Sequence, residues 1–125
     1  MLGKQRPKNL NLVSIRLPLP ALVSILHRAT GVVIFLLLPV LLCGLQQSLK
    51  SAEDFQALTQ MLNSPVPKLF ALGLLWAFLH HFLAGIRHLT LDMRWGIEIK
   101  QARRSSKLVL IGGLLLTILI GVAWW

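Results

Sequence analysis

Three apolar runs constrain this chain more than any other feature: roughly Ala29–Leu45, Leu69–Leu91 and Leu108–Trp125. Each is about 17 to 23 residues long, enough for a helix to cross a hydrocarbon core of about 30 Å. Inside a bilayer the backbone must satisfy its own hydrogen bonds, which leaves helices or a closed barrel, and runs of this length point to helices. The chain is 55% hydrophobic and 14% charged, too apolar for an ordinary soluble domain. The expected fold is therefore an all-α integral membrane protein. It is one domain of 125 residues, with transmembrane helices at about 21–48, 68–92 and 105–125 packed as a bundle. Residues 1–20 are basic and broken by Pro7, Pro18 and Pro20. They read as a retained cytoplasmic arm, not a cleaved signal peptide.

The net charge of +9 is unevenly placed. Lys4, Arg6, Lys8 and Arg16 precede the first run, and Arg94, Lys100, Arg103, Arg104 and Lys107 fill the loop before the third. Between the first two runs, Lys50 and Lys68 are offset by Glu53 and Asp54. The positive-inside rule puts the N-terminus and the second loop in the cytoplasm (or the mitochondrial matrix) and the C-terminus outside, with Trp124 and Trp125 at the outer interface. A bacterial inner membrane is the expected location. Topology accounts for the basic charge, so no nucleic-acid partner is inferred. Cys43, the single cysteine, excludes an internal disulfide, a four-thiolate cluster and covalent haem attachment.

Pro39 lies within the first run and is expected to kink it. In the outer loop, Ser51 followed by Asp54 reads as an N-cap, and Phe55, Leu58, Met61 and Leu62 recur at helical spacing. A short surface helix is expected, ended by Asn63-Ser64-Pro65-Val66-Pro67.

Within the second run stands His81-Phe82-Leu83-Ala84-Gly85-Ile86-Arg87-His88. Ionisable groups are costly at that depth and commonly functional. His81 and His88 are seven residues apart, so they share a helix face about 10 Å apart along the axis. Ala77, Ala84 and Gly85 flank His81 with almost no side chain, which leaves room for a flat, bulky partner. A haem fits, with iron on His81 and propionates toward His88. The same residues are compatible with close helix packing and interhelical hydrogen bonds alone. His80 points about 100° away and should not share that face.

The first run opens with Ser24-Ile25-Leu26-His27-Arg28-Ala29-Thr30-Gly31, whose Ser24, His27, Arg28 and Gly31 fall on one face. This set and that of Arg87, His88 and Asp92 belong to the same end of the bundle. Packed together, they make a cationic pocket for carboxylates, such as haem propionates, or for quinone carbonyls. The plainer readings are snorkelling for Arg28 and Arg87, interhelical bonding for His27, a back-bond to its own helix for Ser24, and for Asp92 a pair with Arg94 or Arg87 or a helix-end cap. Nucleotide fingerprints, iron–sulfur cysteine sets and nucleophile triads are missing from the sequence. Redox chemistry on a soluble substrate would need partners carrying flavin or iron–sulfur centres.

Two patterns now stand out: Arg6-Pro7, Leu19-Pro20 and Ser24 to Gly31, and His81-x3-Gly85-x-Arg87-His88-x3-Asp92. With them the chain resembles the cytochrome b subunits of succinate dehydrogenase, the larger hydrophobic anchors of complex II. The resemblance covers nearly the whole chain. After Asp92 it reads Met93-Arg94-Trp95-Gly96, whereas the family's glycine often comes sooner. The resemblance implies that His81 is one axial ligand of a haem b shared with the small anchor subunit. It implies that His27, Arg28 and His88 lie near the propionates, and that Ser24 and Arg28 help bind ubiquinone, the substrate. The implied partners are the flavoprotein, iron–sulfur and small anchor subunits and the lipid bilayer. The implied activity is succinate:ubiquinone oxidoreduction by the complex, to which this chain contributes no catalytic residue. Two rivals are a cofactor-free structural anchor or assembly subunit, and a small multidrug-type transporter. The latter needs a membrane-embedded carboxylate, and none of the four acidic residues sits mid-span.

Overall fold

The computed structural model describes residues 16–124. The arm up to residue 15, with Arg6-Pro7, and Trp125 lie outside the described residues. Four helices follow in order: α1 (Leu19–Ser48), α2 (Ala52–Leu62), α3 (Pro65–Asp92) and α4 (Ile99–Trp124). Three are long and apolar enough to cross a membrane.

α1 starts at Leu19, with Pro18 as its N-cap and proline in its first turn, where a missing N–H costs nothing and φ is already helical. It runs through Pro39 without a break in helix. The expected surface helix is present as α2. The Ser51 side chain accepts from the Asp54 backbone N–H at 3.0 Å, and its hydroxyl donates to Asp54 Oδ2 at 3.0 Å. Gln47 Nε2 donates to Asp54 Oδ1 at 2.7 Å, tying this cap to the end of α1. Pro65-Val66-Pro67 is not loop, however: it forms the first turn of α3, with Ser64 at the N-cap position and its hydroxyl donating to Met61 O. α4 likewise begins at Ile99, so Lys100, Arg103, Arg104 and Lys107 are helical and not in a loop. Lys, Arg, Gln and Ala are good helix formers, and the apolar run marks only the membrane part of a longer helix.

α3 packs against both α1 and α4, and α1 also touches α4. The interior is narrow and made of small or polar side chains: Val23, Thr30, Ala77, His80, Ala84, Arg87, Ser106, Val109 and Thr117 are buried. Large apolar side chains point outward, with Phe35 74% and Leu36 66% exposed. That inversion is expected where lipid is the solvent and helices associate by close packing. On α4, Ser106, Val109, Gly113, Thr117 and Gly121 form the inward stripe. A Cβ on Gly113 would lie 3.6 Å from His80 Cα, so the α3 and α4 backbones meet there.

α3 closes with a double turn. Trp95 N–H donates to Thr90 O and Arg94 N–H to Leu91 O, both at 2.9 Å. This is the Schellman pattern, which places Arg94 at the left-handed position that glycine usually occupies, and its φ is 62°. The later glycine, Gly96, also has positive φ (74°) but does not relieve Arg94. Left-handed conformation costs a non-glycine residue about 1–2 kcal/mol, partly offset by glycine's greater freedom when unfolded. Arg94→Gly should therefore stabilise the chain by about 0.5–1 kcal/mol. The check is its thermal unfolding midpoint in detergent, followed by circular dichroism. A lower midpoint would mean that the Arg94 side chain contributes more than its backbone costs.

Candidate functional site

The start of α1 and the last turns of α3 bring three histidines together. The His27 and His81 rings stack at 4.3 Å with an 11° interplanar angle. His88 tilts against His27 at 4.9 Å and 45°. The seven-residue spacing thus places His81 and His88 on the face of α3 that meets α1.

His81 is held by the backbone of α1. Its Nδ1 lies 3.0 Å from His27 O and 3.5 Å from Thr30 Oγ1. A carbonyl can only accept, so this bond assigns the proton to Nδ1. Thr30 spends its own proton on Leu26 O at 2.8 Å. In the neutral imidazole Nε2 is then the nitrogen left to bind a metal, with the other nitrogen fixed by a backbone acceptor. Gly31 makes this approach possible: a Cβ there would lie 2.8 Å from His81 Cε1. Gly85 faces His27, whose Nε2 would be in ordinary contact, at 3.6 Å, with an added Cβ.

Among the described residues no three His, Cys, Asp or Glu side chains converge as a cage for a bare metal ion. The donor set is one oriented imidazole nitrogen, with further imidazoles and an arginine nearby. That set would suit a flat cofactor that carries most of its own metal ligands and takes one imidazole from this chain.

Ser24 is half-buried, one turn before His27, and Arg28 is exposed beside it. Neither makes a hydrogen bond or ion pair among the described residues. His80 is fully buried, about 100° round the helix from His81. It stacks on Trp76 at 5.4 Å, and among the described residues neither ring nitrogen lies in a geometric hydrogen bond.

Three expectations need correction. Arg87 does not join His27 and Arg28. It is buried, with Nε donating to Ser105 Oγ at 3.1 Å and Nη2 to Ala102 O at 3.5 Å. At 100° per residue, Arg87 shares the His80 face of α3, not the His81 face, so it clasps α4. Asp92 is exposed and pairs with neither Arg87 nor Arg94 among the described residues. Ala84 does not line an open slot: it packs with Val23 and Val109 in the core. Of the small residues on the second run, Gly85 faces the histidines. Thr30 and the His27 carbonyl, which hold His81, had no assigned role. Both lay inside the first pattern, but their pairing with His81 is a tertiary fact.

A family described as the succinate dehydrogenase/fumarate reductase transmembrane subunit matches residues 3–120. The chain is similar to the succinate dehydrogenase cytochrome b556 subunit of Coxiella burnetii, 35% identical over 99% of this chain and 100% of the relative. It is 33% identical to the Paracoccus denitrificans cytochrome b556 subunit, over 91% of this chain and 88% of that one. The mitochondrial cytochrome b560 subunit of Sus scrofa is 33% identical over 88% of this chain and 66% of its own length.

Proposed function

The chain belongs to the family of succinate dehydrogenase/fumarate reductase transmembrane subunits, and from that premise we propose that it is the large membrane anchor of a succinate:ubiquinone oxidoreductase, co-ligating haem b. The observation carrying this reading is the fixed His81 imidazole, its Nδ1 3.0 Å from the His27 carbonyl and its ring seated on Gly31. His81, through Nε2, would be this chain's ligand to the haem iron, and a small anchor subunit would contribute a second ligand. Arg28 would offset the charge of the propionates, and His27 and His88 would hydrogen-bond to them. Haem b bound here would supply a one-electron carrier near the quinone.

Ser24 and Arg28 hold the quinone by hydrogen bonds to its carbonyl oxygens. The exposure of Arg28 supports this, because it leaves the guanidinium free for a ligand at the boundary with other subunits. Flavoprotein and iron–sulfur subunits oxidise succinate and deliver the electrons. The complex sits in a bacterial inner membrane with the start of α1 at the cytoplasmic face. The cluster of Arg16, Arg94 and the basic turns of α4 at one end of the bundle supports that orientation.

The test is a reduced-minus-oxidised visible spectrum of the complex purified through a tag on this chain. A sharp b-type α band is expected. A stable complex without one would leave the chain a cofactor-free anchor. The quinone assignment has its own check. Arg28→Leu should lower quinone reduction about tenfold or more, the scale of a lost charge-assisted hydrogen bond. Haem content and succinate oxidation with a soluble dye should change little. Full quinone turnover with normal inhibitor sensitivity would remove Arg28 from the site.

A further inference from the structure

The first two turns of α4 carry a charge pattern that the haem and quinone reading does not use. Lys100, Arg103, Arg104 and Lys107 follow i, i+3, i+4, i+7 spacing, a single helix face about 10 Å long. All four are exposed. None forms an ion pair among the described residues, and the first turn of α4 contains no acidic residue.

Taken alone, this arrangement is unfavourable. Like charges at these spacings repel, and cations near a helix N-terminus oppose the helix dipole. The helix forms there anyway, and its rotation is fixed from the other side. Buried Arg87 donates to Ser105 Oγ and Ala102 O, and the Ser106 hydroxyl donates to Ala102 O at 2.7 Å. The clasp holds Ala102 and Ser105 against α3 and turns the four cations outward.

The position of the stripe indicates what it meets. Lys107 immediately precedes Leu108, where an uncharged run to Trp124 begins, so the stripe stands at headgroup level just outside the hydrocarbon. Beside it, Trp95, Ile97 and Ile99 are 69%, 61% and 72% exposed, a mixture of aromatic, apolar and cationic groups suited to a membrane interface. An acidic protein surface would match the charges but not this flush position or the exposed apolar side chains beside them.

We propose that the outward face of Lys100, Arg103, Arg104 and Lys107 is a binding site for anionic phospholipid headgroups, held in register by the Arg87 clasp. Its ligand chemistry is the phosphate monoanion. Membrane-surface attraction works per charge and is screened by salt. A rigid row of four should therefore retain anionic lipid through purification at low salt and release it at high salt.

The test uses the whole complex, captured through this chain and reconstituted in phosphatidylcholine with or without phosphatidylglycerol. The readouts are its thermal midpoint and its retained phospholipid by native mass spectrometry. Wild type should gain several degrees and retain phosphatidylglycerol preferentially. A variant with all four residues changed to Gln should lose both effects, while Lys100→Arg with Lys107→Arg keeps them. No preference for phosphatidylglycerol in wild type would overturn the proposal, as would a preference undiminished in the Gln variant. Inorganic phosphate in phosphatidylcholine giving the same stabilisation would overturn the lipid assignment. Loss of partner subunits from the Gln variant already in phosphatidylcholine would overturn it in favour of protein docking.

Discussion

Replacing His81 by alanine is expected to remove the low-spin b-type spectrum from a complex that still assembles. Three features of the site support that pairing of outcomes. His81 is the only histidine of the cluster whose Nδ1 is fixed by a backbone carbonyl, so it alone presents an oriented Nε2. The side chain is half-buried, and its removal affects only the carbonyl of His27, which still accepts the i+4 backbone N–H within α1. The helix interface is therefore not left with an unsatisfied buried group, and assembly should survive. Haem content per complex should fall at least about tenfold, the lower end of what loosening even a supporting contact of a metal ligand costs. Any residual haem should be high-spin, held from the partner side. Dye-linked succinate oxidation should persist, since the chemistry lies in other subunits. An unchanged α band in the variant would remove His81 as ligand and return the cluster to helix packing.

The membrane architecture was legible because hydrophobicity and length suffice for it, and the Ser51–Asp54 pattern revealed α2. The helix starts were not, because proline and basic residues resemble loop in composition yet are acceptable in a helix outside the bilayer. Pro65 and Lys100 both show this. For the site, the seven-residue spacing of His81 and His88 was enough to place them on one face. The same arithmetic pairs His80 with Arg87 on another face, and grouping Arg87 with His88 overlooked it. Which neighbour each face of α3 meets depends on helix order in the bundle. That order is decided by the small-residue stripe of α4 meeting His80 and Arg87 while Gly31 admits His81. The α1–α3 contacts join residues 51 and 54 positions apart and the Arg87 contacts residues 18 and 15 apart, and nothing in either local segment announces them.

Gly31 offers the sharpest test of that long-range fit, since it lies on a different helix from the proposed ligand. A Cβ there would come within 2.8 Å of His81 Cε1, closer than packed carbons tolerate. The imidazole cannot simply swing aside, because doing so breaks its 3.0 Å bond to His27 O and separates it from the His27 ring. Overpacking of this kind costs about 1–3 kcal/mol, to be met by rotating His81 or by parting α1 from α3. Either movement misdirects Nε2. Gly31→Val should thus lower haem occupancy about tenfold or more with His81 still in place, while Gly31→Ala should give a smaller loss and a mixed-spin spectrum. Gly44 on the same helix is the control: a Cβ there meets nothing within 4 Å, so Gly44→Val should leave the spectrum intact. If Gly31→Val retains full haem with an unaltered α band, the α1–α3 contact does not position the ligand. If Gly31→Val and Gly44→Val lose haem alike, the cause is helix insertion or folding and not the seat of His81. Only a loss confined to Gly31 ties the small residue on one helix to the orientation of the imidazole on the other.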